Sequence, residues 1–208
     1  MSYILNIYEK NIYIYSNITY NGKLFIKINK NSNLLHYNIF KIIKQKKINI
    51  KIINAISVNF GPAISYTRIR NILSSAKGLC LSLNIPLIKL NNFLIIINYK
   101  KKLIIKYKLI NFIIHKYNKK IYLIEYNFLN KKIKIINNIE NIHKYIIINH
   151  NKKFFFINKK FKNKYKIFKD KNIYFYKIPY NYINKLSYKL YLKKKFIKNI
   201  NSCTPIFI

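Results

Sequence analysis

The sequence predicts an α/β protein, and three observations within one short segment predict it. The run Ile53-Asn54-Ala55-Ile56-Ser57-Val58 is alternating and β-branched, the pattern of a buried strand. Gly61-Pro62 then turns the chain, and apolar residues recur from Tyr66 to Leu83 at helical spacing. Leu87 to Leu90, just after Pro86, reads as a second buried strand. A strand-turn-helix-strand unit of this kind is the building block of α/β folds.

The helix can be read face by face. Ser65 or Thr67 can cap its start, because a hydroxyl there accepts from backbone N–H groups left without helical partners. Ile69, Ile72, Leu73, Ala76, Leu79, Cys80 and Leu83 form an apolar face. A second stripe, Asn71, Ser74, Ser75, Gly78 and Ser82, consists only of small residues, which would let another helix approach closely. Asn84 suits the left-handed position that ends a helix, and Pro86 forbids continuation.

Composition bounds the rest. With 208 residues and 51% apolar types, the chain can bury one large core or two smaller ones. Lys and Arg total 41 against four acids, a formal charge of +37. Such a charge repels itself unless anions screen it or a polyanion binds, which points to nucleic acid. An extremely AT-rich genome would produce the same Lys, Ile, Asn and Tyr excess without selection for RNA. Against that background one island stands out. Both arginines (Arg68, Arg70), all three alanines, the only valine (Val58), Gly61, Gly78, Pro62 and Pro86 lie between positions 54 and 86.

Several function classes lose support. The longest uncharged stretch, Ile52 to Thr67, is broken by Gly61-Pro62 and falls short of the ~18–20 apolar residues of a membrane helix. No signal peptide is expected from MSYILNIYEK, and a cytoplasmic location is. Cys80 and Cys203 lie far apart and form no metal-type pair, so reduced, structural thiols are expected. GPAISYTR lacks the Gly-Lys-Ser/Thr ending of a phosphate-cradling loop. Glu9, Glu125, Glu140 and Asp170 are scattered and read as lysine partners, with Glu9 the one to test. His143 and His150 read as solvent or core histidines rather than a metal pair. From Lys152 to Lys195, Lys alternates with Phe and Tyr; lysines can neutralise phosphates and aromatics can stack on bases, or the run is a solvated lysine face.

Positions 53 to 90, INAISVNFGPAISYTRIRNILSSAKGLCLSLNIPLIKL, resemble the signature of the TsaB (YeaZ) family. Gly61-Pro62, Ser65-Tyr66-Thr67, Arg70, Ala76-Lys77-Gly78-Leu79 and Ile85-Pro86 fall in step with it, once Ile64 is allowed as an extra residue. Ala63 and Arg68 stand where the family has further glycines. The flanks follow: Tyr3–Ile7 resembles the opening strand, 11–16 with 23–28 complete a meander, and 33–45 fits the first helix. Phe112–Ile114 and Ile121–Tyr126 resemble the hairpin that opens a second lobe, and the resemblance ends near residue 127.

The resemblance implies an actin-like ATPase, ribonuclease-H-like fold in two lobes, residues 1–100 and a degenerate 101–208. It implies a non-catalytic subunit that pairs with TsaD in threonylcarbamoyl transfer to adenosine 37 of tRNA. A TsaE-type ATPase is a further partner, homodimerisation an option, and tRNA is met through the complex. No cofactor or metal is expected. The catalytic paralogue TsaD has a His-rich metal motif where this chain reads Asn91-Asn92-Phe93-Leu94, and active enzymes of the fold carry an acid where Tyr8 stands. The first two helices would form the partner surface, through Asn71, Ser74, Ser75, Gly78 and Ser82. A basic ribosomal or RNA-binding protein of an AT-rich genome is the alternative, and an active TsaD-like transferase the third.

Overall fold

The computed structural model describes residues 1–10, 13–29, 35–45, 47–61, 66–99, 109–115, 121–127, 133–136, 154–158, 173–176 and 179–204. Strands β1 (Tyr3–Lys10), β2 (Tyr13–Tyr20) and β3 (Lys23–Asn29) form an antiparallel meander. Helix α1 (Leu35–Gln45) follows, then β4 (Ile53–Asn59), α2 (Tyr66–Leu83), β5 (Leu87–Leu90) and α3 (Asn92–Tyr99). β4 and β5 add in parallel, giving a sheet ordered β3-β2-β1-β4-β5. The expected order of three strands, helix, strand, helix, strand is the observed one.

The meander owes its register to Asn21-Gly22. Asn21 (φ 47°) and Gly22 (φ 77°) are both left-handed, as a two-residue hairpin turn requires. Ser2 N–H donates to Asn21 Oδ1 and Asn21 N–H to Ser2 O, each at 3.0 Å. The second strand accordingly runs to Tyr20, four residues beyond the end expected from apolar alternation.

Alternation along each strand sends side chains to two faces. Leu5, Ile7, Ile14, Ile18, Ile56 and Val58 meet Leu35, Ile39 and Ile43 of α1 and Ile72, Leu73, Ala76 and Cys80 of α2 in one buried cluster. On the opposite face Ile4, Ala55 and Ile88 pack with Tyr188, Leu190, Tyr191 and Phe196. These last residues belong to or follow α4 (Tyr180–Leu192). The first compact unit is therefore Met1–Ile95 together with Pro179–Phe207. The expected lobes of 1–100 and 101–208 differ from it, because the chain returns at its C-terminal end to cover the sheet's second face.

The second unit spans Ile96–Ile178. Its strands are β6 (Leu109–His115), β7 (Ile121–Asn127), β8 (Ile133–Ile136), β9 (Phe154–Asn158) and β10 (Ile173–Tyr176). Their order, β10-β9-β6-β7-β8, repeats the first sheet, with β6-β7 and β7-β8 antiparallel and β6-β9 and β9-β10 parallel. Its five described strands keep the order and directions of the first sheet. No helix among the described residues is long and apolar enough to cross a membrane.

Candidate functional site

The turn after β4 is built around Gly61. Phe60 is fully buried and its N–H donates to Leu90 O at 2.8 Å, tying the turn to the end of β5. Gly61 takes φ 104°, a conformation that L side chains rarely adopt. Its N–H donates to Asn59 Oδ1 (3.0 Å), and its carbonyl accepts from Asn92 N–H (2.9 Å). Asn59 Nδ2 donates in turn to Asn92 Oδ1 at 2.7 Å, so the start of α3 and the end of β4 hold the glycine between them. Lys89 Nζ lies 4.8 Å from the Phe60 ring centroid, a cation–π contact. Pro62 and Ser65, with Ala63 and Ile64, lie outside the described residues.

Helix α2 carries the rest of the motif and presents the faces its periodicity predicts. Ile69, Ile72, Leu73, Ala76 and Cys80 are each at most 3% exposed. Thr67, Arg70, Asn71, Ser74, Gly78 and Ser82 are exposed, and Ser75 is half-buried. Lys77 reaches sideways, its Nζ donating to Asn201 O at 3.1 Å. Tyr66 opens the helix. Leu79, expected on the buried face, sits at its margin: with Tyr37, Ile39 and Phe40 of α1 and Ile50 it lines an apolar surface hollow. Tyr37 (55%) and Phe40 (65%) stand well out of the molecule. Apolar periodicity along α1 marks its inward residues Leu35, Ile39 and Ile43, so it gives no signal for this exposed pair.

A polar seam runs along the α4 side of the first sheet. Asn6 Nδ2 donates to Asn17 Oδ1 (3.0 Å) and Thr19 Oγ1 (3.2 Å). Asn17 Nδ2 donates to the hydroxyl of Tyr8 (3.2 Å), which is 4% exposed and stacked on Tyr15. Ser187 Oγ gives its proton to Ile183 O (2.9 Å), so Ser57 must be the donor in the 2.9 Å Ser57–Ser187 bond. Tyr8, near the end of β1, is thus a buried, hydrogen-bonded phenol. Asparagine is so common in this chain that Asn6 and Asn17 gave no signal; only their position on the inner face distinguishes them.

Among the described residues no three His, Cys, Asp or Glu side chains gather as a metal site. The side chains of Glu9 and Glu125, and the whole of Glu140, His143, His150 and Asp170, lie outside the described residues. The Lys152–Lys195 run contributes β9, β10 and α4. Along α4, Lys185 and Lys189 are exposed while Leu186 and Ser187 are buried, so there the lysines form a solvated face.

No protein-family model matches the chain, and no curated protein matches it in sequence. Its fold is shared from end to end with YeaZ from Pseudomonas aeruginosa, at a TM-score of 0.64 with 100% of both chains covered and 10% identity. A second structure, an uncharacterised protein from Pseudomonas aeruginosa with similarity to the peptidase YeaZ, superposes at 0.62 over 99% of both chains, again at 10% identity. The fold is the actin-like, ribonuclease-H-like one in two units.

Proposed function

We propose that this chain is a TsaB (YeaZ) family protein, a non-catalytic subunit that pairs with a TsaD-type protein in threonylcarbamoyl transfer to adenosine 37 of tRNA. One observation carries this reading. The segment 53–90, marked out by its motif, folds as the β4-α2-β5 crossover of a chain whose fold matches YeaZ from end to end. The partner surface in this reading is the outer side of α1 and α2. There the small stripe of α2 lies beside the apolar hollow under Tyr37 and Phe40, a profile suited to a helix from another protein. A TsaE-type ATPase would join the pair, tRNA would be met through the complex, and the reaction would run in the cytoplasm.

The test is co-expression of the full chain with the TsaD-type protein of the same genome, followed by affinity capture and sizing by light scattering. A stoichiometric heterodimer is the expected result. Capture of ribosomal RNA without a TsaD-type partner would instead favour the reading as a basic RNA-binding protein, which the +37 charge supports.

A further inference from the structure

We propose that Cys80 and Cys203 form a reversible disulfide, a covalent clasp between α2 and the C-terminal segment. They are the chain's only two cysteines and stand more than half its length apart. The return of the chain lays the segment that carries Cys203 against the buried cluster that contains Cys80. After α4, Ile197 N–H donates to Leu87 O (2.9 Å), which lays the segment along β5. Lys77 Nζ then holds Asn201 O at 3.1 Å, from a position one helical turn before Cys80. Ile197, Ile200 and Cys203 all pack against the buried cluster that contains Cys80.

Cys203 is set in a tight local turn rather than on a loose end. Asn199 Oδ1 accepts from the N–H groups of Asn201 (3.0 Å) and Ser202 (3.4 Å). Cys203 N–H donates to Ile200 O (3.3 Å), and its thiol to Asn199 O (3.4 Å). Both sulfurs are free thiols, Cys80 buried and Cys203 half-buried. Burial, and next Cys203, push the Cys80 thiol up to about 12, so Cys80 holds its proton.

Exposure orders the chemistry, because the half-buried Cys203 can be reached from solvent and the buried Cys80 cannot. The thiolate of Cys203 attacks one sulfur of glutathione disulfide; the glutathione S–S bond breaks, a mixed disulfide forms on Cys203, and one glutathione thiolate leaves. Cys80 then gives up its proton to that departing thiolate and attacks Cys203 Sγ. The new Cys80–Cys203 bond forms as the second glutathione thiolate leaves and takes up the Cys203 proton from solvent. Two protein thiols are oxidised and one glutathione disulfide is reduced to two thiols. Excess reduced glutathione runs the sequence backwards. Because Cys80 is on the inward face of α2, the bond leaves the outward stripe around Gly78 open.

The test is incubation of the full folded chain with glutathione disulfide, an acid quench, alkylation in denaturant, and intact-mass and peptide mapping. The expected product carries no alkyl group and no glutathione, contains a cross-linked Cys80–Cys203 peptide, and melts at a higher temperature than the reduced chain. Cys80→Ala should stop at the mixed disulfide on Cys203, and Cys203→Ser should stay unmodified while folded. A wild-type chain that keeps glutathione on Cys203 beside a free Cys80, or that alkylates at both positions after oxidation, overturns the proposal.

Discussion

Gly78 has no reason in the chain's own backbone to be glycine. Gly22 and Gly61 take φ of 77° and 104°, and a Cβ on Gly22 would meet Tyr188 Cβ at 3.1 Å and its ring at 3.2 Å. Gly78 lies inside α2, and a Cβ there would meet nothing within 4 Å. Glycine in a helix interior costs about 1 kcal/mol against alanine, so a closely approaching partner is the reading that accounts for it. Gly78→Leu should leave the monomer's melting temperature equal or raised and abolish capture of the TsaD-type protein. Ala76, fully buried one turn from Leu73, should respond in the opposite sense. Ala76→Leu overpacks the core and should cost roughly 1–3 kcal/mol. If Gly78→Leu still binds, or unfolds the monomer as badly, the assignment of faces is wrong.

Cys80 gives a second residue-scale expectation, in reducing buffer. Its ionisation is raised from 9.0 to about 12 by burial and then by Cys203. The unfolded chain therefore releases this proton from about pH 9 while the folded chain keeps it. The linked stability is intact below pH 9 and is lost as pH rises from 9 towards 12, at about 1.4 kcal/mol per pH unit. Urea unfolding at a series of alkaline pH values should show a steeper loss for the wild type than for Cys80→Ala. Parallel curves would mean that the thiol's environment is the same in both states.

At the scale of the element, the helix ends show what a glycine-poor chain does without glycine. After α1, α2 and α4 the left-handed residue is Lys47 (φ 49°), Asn84 (φ 52°) and Lys194 (φ 50°). Each end has the paired bonds of a Schellman motif: Ile48 N to Ile43 O, Ile85 N to Cys80 O, and Lys195 N to Leu190 O, each at 3.0 Å. A side chain other than Asn, Asp or Gly in this conformation costs about 1–2 kcal/mol. Lys47→Gly and Lys194→Gly should each stabilise the protein by about 1 kcal/mol, less what the lysine contributes at a helix C-terminus. Thermal melting would then shift upward by about 2–4 °C for a chain of this size. Asn84→Gly should gain less, since Asn tolerates the conformation. An unchanged or lowered melting temperature for both lysine variants would refute this account of the helix ends.

For the whole molecule the deciding quantity is charge. Within 1–95 and 179–207 the one acid is Glu9, so the first unit carries almost unopposed lysine. If those lysines meet tRNA phosphates, affinity for tRNA should fall steeply with salt, with a log–log slope of about 0.9 or less per contact. Filter binding from low to physiological salt would measure it. Affinity that ignores salt, or none at low salt, leaves codon composition as the whole origin of the charge.

The segment 53–90 was legible from sequence because its signals are local. Alternation at Ile53–Val58, the 3.6-residue period of α2, the Gly61 turn and the Asn84 stop each depend on neighbours a few residues away, and each is found in the structure. Asn21-Gly22 is an equally local signal and marks the β2–β3 turn, whereas apolar alternation alone stops at Ser16. Other features could not be read in one dimension. The burial of Asn6, Asn17 and Ser57 depends on α4 arriving from the far end of the chain to cover that face. In a chain this rich in Asn and Lys, a buried Asn and a solvated one look alike until packing separates them. The proximity of Cys80 and Cys203 is of the same kind. Local sequence determined the elements and the faces of α2; the closing of the chain on its first sheet decided which polar and sulfur groups share an interior, because burial depends on what packs from a distance.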